Sequence, residues 1–475
     1  MEREVHSGFS ALAEKLDKLL EDQPCGKLIR LESPIPSVDI LRCLAIQQRK
    51  GQVKAYWSNR EGELVVAGIA TAWEYSLNSV ADIPLAFRAA RKLMSSFSSD
   101  ISARCFSYLS FSDKSSQIWP EFGYGKIWLP LVEISETKSG SILACNLLAS
   151  SDCDWRQRIL EIKQLLDQLL GDDNIDNHSF KLRQCRSYPD KKCWNELVSL
   201  ALQRLDSGNL KKVVLSKKIS YSVDGDVSPW KIMKLWQESN SHVYSFVFEG
   251  TGDHYFLGCS PERLLKRYGR MISTEALAGT SPRGRGVAED QRLAAELMSD
   301  SKNIHENKLV LNDIISKLQL MCEWLKIDNS HSILKLKDVQ HLRYLIRGEL
   351  SSGIMDEELV MSMHPTSAVG GDPKDEAHKF INDNEYYARG LYAGVCGIIG
   401  NDMSEFTVSI RSASLKPCSI SLYSGAGIVH GSFADSEWKE LNDKTKTIQT
   451  ILSGFQYGSL GGEDVLTRHL KEGDC

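Results

Sequence analysis

The sequence predicts an α+β fold, and three observations carry that prediction. Strand-like runs recur through the second half, at residues 211–222, 243–249, 255–257, 406–415 and 419–423. Two long helical patterns, 291–325 and 436–452, interrupt them without strict strand–helix alternation, which disfavours a doubly wound parallel sheet. The 475 residues are 42% hydrophobic and 25% charged. Those proportions suit a globular chain long enough to bury a large core.

The first 170 residues alternate helical and extended patterns. Leu12, Leu16 and Leu19 form an apolar stripe at helical spacing, and a clearer one runs through Ile159, Ile162, Leu166, Leu169 and Leu170. Short strand-like runs lie between them, at 64–66 and 126–132. Residues 171–192 are polar with few large apolar side chains and read as a boundary or exposed connection. A helical pattern at 194–205 then leads into the strand at 211–222. No repeat of fixed period and no low-complexity segment interrupts the chain.

Several function classes are disfavoured by composition. Lys and Arg number 57 against 62 Asp and Glu, a formal net charge of −5. Neither a basic excess nor an acidic block is present, so no nucleic-acid partner is expected. The best apolar run, 390–400, falls well short of the roughly 20 residues a spanning helix needs. The opening MEREVHSGFS has neither a secretory apolar region nor a transit-peptide pattern. A cytoplasmic protein without membrane contact is the expectation. Twelve cysteines are scattered from Cys25 to Cys475 without a CxxC pair and are expected to be buried reduced thiols. Gly425, Gly427 and Gly431 give GxGxxxG, one residue too many for a dinucleotide fingerprint. His305-Glu306 opens like a zinc-protease helix, but Leu309 stands where the second His is needed.

Eight segments carry more information. They are LKKVVLSKK (210–218), FLGCSPERLL (256–265), TEALAGTSPRGR (274–285), DSKNIHENKLV (300–310), VQHL (339–342), HPTSAVGGDP (364–373), FTVSIRSA (406–413) and YSGAGIVHGSFADSEWKELNDK (423–444). In order and spacing they resemble the chorismate-utilising enzymes, which include anthranilate, aminodeoxychorismate, salicylate and isochorismate synthases. The resemblance is strong over about 194–455 and rests only on length and alternation before that. It implies two stacked antiparallel sheets flanked by helices, as in anthranilate synthase component I, with the site between them. On this basis residues 1–190 are the N-terminal part of the fold without a recognised motif. Residues 191–458 are the chorismate-binding catalytic region, and 459–475 a polar C-terminal tail.

The same resemblance assigns roles. Glu306 and Glu440, on separate helical patterns, match the positions where the family binds Mg²⁺, a cation that prefers oxygen ligands and takes one or two carboxylates. Taken alone, either would read as a solvated helix face. Glu437 lies one turn before Glu440 on the same face, suited either to a helix N-terminus or to a water-mediated metal contact. Glu262 matches the family's general acid. To protonate a leaving hydroxyl near neutral pH it needs burial or a nearby negative charge; alone, it would read as a salt bridge to Arg263.

Lys212 discriminates within the family. It shares a strand face with Val214 and Ser216. Isochorismate and salicylate synthases place a lysine here to activate water, whereas anthranilate synthases do not. A lysine serves as base only when its amine is neutral, which desolvation and neighbouring lysines favour. Ala278 stands where aminodeoxychorismate synthases often carry a nucleophilic lysine, which leaves water as the nucleophile. Arg411 matches the clamp on the enolpyruvyl carboxylate, a task suited to a planar two-pronged donor, with Tyr392 as companion. The backbone at Gly425, Ala426 and Gly427 is expected to approach a carboxylate closely. Lys444 is expected near the ring carboxylate. His341 and Glu275 are expected to support these contacts from behind, and His364 also falls in a family motif.

The resemblance is closest to isochorismate synthase, an isomerase (hydroxymutase) converting chorismate with Mg²⁺. Salicylate synthase, which goes on to eliminate pyruvate, is the alternative. A catalytically inactive chorismate-binding partner subunit is the other. No obligatory glutamine amidotransferase is expected. The downstream pathway, whether menaquinone or siderophore biosynthesis or salicylate, is not encoded in these motifs.

Overall fold

A computed structural model describes residues 2–22, 28–46, 53–97, 102–113, 118–148, 155–171 and 180–456. The expected tail at 459–475 lies outside the described residues. Twelve α-helices and twenty strands are present among the described residues, and the fold is α+β. The apolar stripes form helices as expected. Leu12 and Leu16 are fully buried on the helix Glu2–Asp22, and Ile159, Ile162, Leu165, Leu166 and Leu169 are buried on Trp155–Leu169.

The strands form two antiparallel runs that part at Gly125–Thr137. One passes from Leu28–Ile35 through Gly140–Leu148, Gly125–Thr137, Leu64–Leu77, Lys54–Ser58, Tyr244–Glu249, Tyr255–Ser260, Ser412–Lys416, Ser419–Ile428 and Lys212–Gly225 to Phe180–Tyr188. The other leaves Gly125–Thr137 through Cys105–Leu109, Val395–Ile399, Met403–Val408, Arg263–Tyr268 and Met271–Pro282. It ends at Val339–Leu350, which also pairs Cys322–Ile327 and Ser332–Lys335. Cys105–Leu109 and Gly140–Leu148 share one edge of Gly125–Thr137, each covering part of its length.

Several elements depart from the sequence pattern for identifiable reasons. The 291–325 pattern is two helices, Val287–Ser299 and Ser301–Leu318, followed by the strand Cys322–Ile327. Asp300 makes the break: its backbone is extended (φ −73°, ψ 117°) and its side chain caps the second helix by accepting from Asn303 N at 2.7 Å. The 406–415 run is two strands separated at Ser409–Arg411, where Arg411 has φ +49°. Within the polar stretch 171–192, Phe180–Tyr188 is a strand that pairs with Lys212–Gly225. It tolerates a polar sequence because this run pairs it along one edge only, while Phe180 stacks on Phe455 at 4.9 Å. The apolar run 390–400 contains the buried strand Val395–Ile399, and no helix among the described residues is long and apolar enough to cross a membrane. The nine cysteines among the described residues are free thiols, but burial holds only for Cys105, Cys145, Cys259 and Cys396, and Cys185 and Cys418 are exposed.

Residues before 190 supply core as well as strands. Trp57, Phe106 and Trp128 are fully buried. Trp57 meets Tyr244 at 5.7 Å, Trp128 meets Phe248 at 5.8 Å, and Phe106 stacks on Trp128 at 5.4 Å. Lys54–Ser58 and Cys105–Leu109 are also the pairing partners of Tyr244–Glu249 and Val395–Ile399. A chain beginning at residue 190 loses those partners and leaves backbone edges and aromatic faces bare. It is expected to show no cooperative thermal or urea transition. In the full chain, Trp57→Ala is expected to cost about 3–5 kcal/mol by urea unfolding. A sharp transition in the shortened chain would contradict the shared core.

Candidate active site

The two strand runs face each other across a pocket of about 640 Å³, its open mouth included. Val214, Ser424, Gly425 and Gly427 line it from one run, and Leu277, Ala278, Gly279, Thr280 and His341 from the other. Glu262, Glu306, Tyr392, Arg411, Glu440 and Lys444 complete its polar lining. That size and mixture suit a small polar ligand.

Lys212 opens the Lys212–Gly225 strand, whose first turn of register is fixed from the HPTSAVGGDP segment. Lys211 N donates to Asp372 O at 2.8 Å, and Val214 N to Gly370 O at 2.8 Å. The Lys212 side chain is 1% exposed, and its Nζ lies 3.0 Å from Glu306 Oε1. Gly427 makes this approach feasible, since a Cβ there would sit 2.3 Å from that same oxygen and 2.9 Å from Lys212 Cε. At Gly425 a Cβ would meet the Tyr392 hydroxyl at 2.7 Å. The two glycines therefore act by making room. Ala426, between them, points away from the pocket into the apolar core, as strand alternation requires.

Glu306 projects from Ser301–Leu318. Its neighbour Asn307 is buried and donates from Nδ2 to the carbonyls of Ala276, Ala278 and Leu342 at 3.0–3.2 Å, tying the helix to the strand wall. That wall bulges between Ala278 and Thr280. Gly279 occupies the bulge at φ +79°, packed against Asn303, a conformation that favours glycine.

Glu262 is 5% exposed. Its backbone carbonyl accepts from Thr407 Oγ1 at 2.6 Å and Val408 N at 3.2 Å. Burial, reinforced by the negative charge of Glu275, raises its carboxyl to about 8, against the opposing pull of Lys212, Thr366 and Lys444. Thr366 Oγ1 lies 3.5 Å from Glu262 Oε1. Glu275 is buried behind Glu262 and outside the pocket lining, held by Arg60.

Glu440 lies on Ala434–Asp443, paired with Lys444 at 2.6 Å. Burial pushes its carboxyl up, but Lys444, Lys302 and Arg411 hold it below the usual value. Glu437 faces Lys302 and lines an adjoining recess that shares Thr280 and Glu440 with the main pocket. Lys444 Nζ also donates to Gly425 O at 2.7 Å. Each carboxylate of the trio is thus matched to a lysine. The donors are hard carboxylate oxygens, and among the described residues no group of three or more His, Cys, Asp or Glu is arranged to hold a metal. Glu306 and Glu440 line the same pocket, and two protein carboxylates there fit Mg²⁺, which takes water or substrate oxygens in the remainder of its shell.

Arg411 is half-buried in a left-handed conformation, with Nη1 donating to Lys444 O at 3.1 Å and Nη2 3.4 Å from His341 Nε2. Burial lowers its guanidinium to about 10. His341 Nδ1 lies 3.1 Å from Thr280 Oγ1, and burial, Arg411 and Lys444 hold the ring neutral, well below its usual value. Because Arg only donates, Nε2 faces it as acceptor and Nδ1 carries the proton. Tyr392 is buried and stacks on Tyr423 at 5.3 Å. His364 is buried outside the pocket lining, lowered to about 3 by burial and Lys374.

The pocket thus brings together Glu262, Glu306, His341, Tyr392, Arg411, Gly425, Gly427, Glu440 and Lys444, with Lys212 beneath. Glu437 and Glu275 stand behind this set, and Ala426 does not contribute a side chain. Thr280, Thr366, Lys302 and Asn307 were not singled out from the sequence. All four lie inside the quoted segments, but the buried triple contact of Asn307 has no local sequence signal.

Comparison with known proteins shows the family and the fold. A family model described as chorismate binding enzyme matches residues 13–453 and so includes most of the N-terminal part. Isochorismate synthase MenF of Escherichia coli (strain K12) is 31% identical over 455 residues, covering 94% of this chain and 99% of that protein. The solved structure of MenF, the menaquinone-specific isochorismate synthase from Escherichia coli, aligns with a TM-score of 0.81 at 28% identity, over 93% of this chain and 99% of that one. Anthranilate synthase component I from Streptococcus pneumoniae TIGR4 shares the fold, with a TM-score of 0.66 at 18% identity over 81% and 92% of the two chains. The chain belongs to the chorismate-binding enzyme family.

Proposed function

We propose that this chain is an isochorismate synthase, an isomerase that adds water at ring carbon 2 of chorismate and expels the hydroxyl at carbon 4. The observation that carries the proposal is the placement of one buried lysine and one protonatable buried carboxyl at the same pocket, Lys212 and Glu262, with Ala278 offering no competing nucleophile. Near-full-length similarity to an isochorismate synthase supports it.

Lys212 takes the proton from the attacking water, a role that requires the neutral amine. Glu262 gives its proton to the departing hydroxyl, a task it can perform at neutral pH because its carboxyl stays protonated up to about 8. Arg411 offers two parallel donors to the enolpyruvyl carboxylate. His341, neutral and accepting, keeps that guanidinium turned into the pocket. Tyr392 closes the wall beside it. Glu306 and Glu440 would hold Mg²⁺, which supplies positive charge to the ring carboxylate as the double bonds shift. Lys444 keeps Glu440 ionised for that task.

Two outcomes follow. With chorismate and Mg²⁺, chromatography is expected to show isochorismate and no pyruvate or salicylate; stoichiometric pyruvate would assign the chain to the salicylate synthases instead. Glu306→Gln or Glu440→Gln is expected to weaken Mg²⁺ binding by calorimetry and remove most turnover, and turnover indifferent to EDTA would contradict the metal site.

Lys212→Ala and Glu262→Gln are each expected to lower kcat by about 10²–10⁴ with smaller changes in KM. Glu262 donates only when protonated, so kcat/KM is expected to fall as pH rises through about 8. A flat profile to pH 9 would exclude Glu262 as the acid.

A further inference from the structure

The hairpin turn joining Lys54–Ser58 to Leu64–Leu77 reaches across the molecule to the acid. Asn59 shapes the turn: its Oδ1 accepts from Glu63 N at 2.8 Å and Leu64 N at 3.2 Å. Gly62 takes the left-handed position (φ +68°). The turn thereby directs Arg60 inward, where its side chain is 6% exposed. Arg60 Nη1 donates to Pro261 O at 2.9 Å, the carbonyl that immediately precedes Glu262. Both guanidinium arms also grip the fully buried Glu275 carboxylate, Nη2 to Oε2 at 3.0 Å and Nη1 to Oε1. Glu275 Oε1 accepts further from Arg263 N, on the other side of Glu262, at 3.3 Å.

The neighbouring Arg263 is held by the same turn. It pairs with Glu61 and donates from Nε to the Tyr244 hydroxyl at 2.7 Å, which in turn donates to Glu405 at 2.7 Å. Residues 261 and 263, flanking Glu262, are therefore both fixed by a single buried carboxylate and its arginine.

We propose that Arg60 and Glu275 are a positioning pair for Glu262: together they clamp the backbone on both sides of it and fix a negative charge behind its carboxyl. The pair rests on the reaction proposed above, in which Glu262 is the acid. Charged groups acting on that carboxyl are Glu275 from Met271–Pro282, Lys212 from Lys212–Gly225 and Lys444 following Ala434–Asp443. Among these only Glu275 favours the protonated form. Burying a paired arginine and glutamate is poor value for stability alone, and their contacts converge on the one loop that must present an acid. The N-terminal part thus takes a role in the chemistry through position.

Glu275→Gln keeps shape and removes charge. The alkaline limb of kcat/KM is expected to move to lower pH by about half a unit or more, with KM for chorismate held within about twofold. A limb that does not move overturns the proposal. Arg60→Lys keeps both charges but loses the two-pronged grip. Its kcat is expected to fall about tenfold or more at unchanged KM, and wild-type kcat would also overturn the pair. An infrared difference titration, with the Glu262 band identified by its loss in Glu262→Gln, reads the effect without turnover. The band should vanish at lower pH in Glu275→Gln than in the wild type; equal midpoints overturn the proposal. Should the wild type form no isochorismate, the assigned reaction fails on its own, while the infrared comparison still decides the pair.

Discussion

Lys212 Nζ and a Glu306 carboxylate oxygen lie 3.0 Å apart beneath the pocket, with the lysine almost wholly removed from water. Desolvating each charge costs several kcal/mol, and removing one partner of such a buried pair typically costs about 3–5 kcal/mol. Lys212 and Glu306 therefore have to be delivered together, from a strand in one run and a helix packed on the other. The surrounding chain meets that requirement locally. Gly427 clears the space, the segment at 370–372 fixes the start of the lysine strand, and Asn307 anchors the helix beside Glu306 to three carbonyls of the opposite wall. The pocket is the space left where these two constraints meet.

The same pattern of matched charges extends outward. Glu440 is paired with Lys444 and Glu437 with Lys302, so three acids at the cavity and its adjoining recess are each paired with a lysine. Glu262 is the exception. No lysine or arginine forms an ion pair with it among the described residues, and its nearest electrostatic influence of the same sign is Glu275, whose own charge is taken up by Arg60. Glu440, beside Lys444, is held below the usual carboxylate value, whereas Glu262, given burial and the fixed Glu275 anion, is raised. Under the proposed reaction, that division would sort carboxylates of identical chemistry into metal ligands and a proton donor.

Much of this was legible in the chain. Lys212, Glu262, Glu306, Arg411 and Glu440 stand in ordered motifs, and the pocket collects the last four, with Lys212 against Glu306 beneath it. The strand alternation that places Lys212 and Val214 on one face equally removes Ala426 from the pocket, which the glycine-rich motif obscured. The break at Asp300 was hidden because apolar periodicity continues across it, and only the capping bond reveals two helices. Arg60 was illegible for a different reason. It sits in an ordinary turn, 215 residues from the carboxylate it holds, and a contact of that range leaves no local pattern. The strand at Phe180–Tyr188 escaped notice because an edge position relaxes the demand for apolar alternation.

The central claim is that Lys212 delivers a water molecule to one ring carbon while Glu262 expels a hydroxyl from another. Running the reaction in ¹⁸O-labelled water tests it most directly, because the two hydroxyls have different origins. Isochorismate isolated early in the reaction and analysed by mass spectrometry and ¹³C NMR is predicted to carry one labelled oxygen, at carbon 2. Isochorismate formed without label would contradict the account, since it would exclude solvent water as the nucleophile and Lys212 as its base.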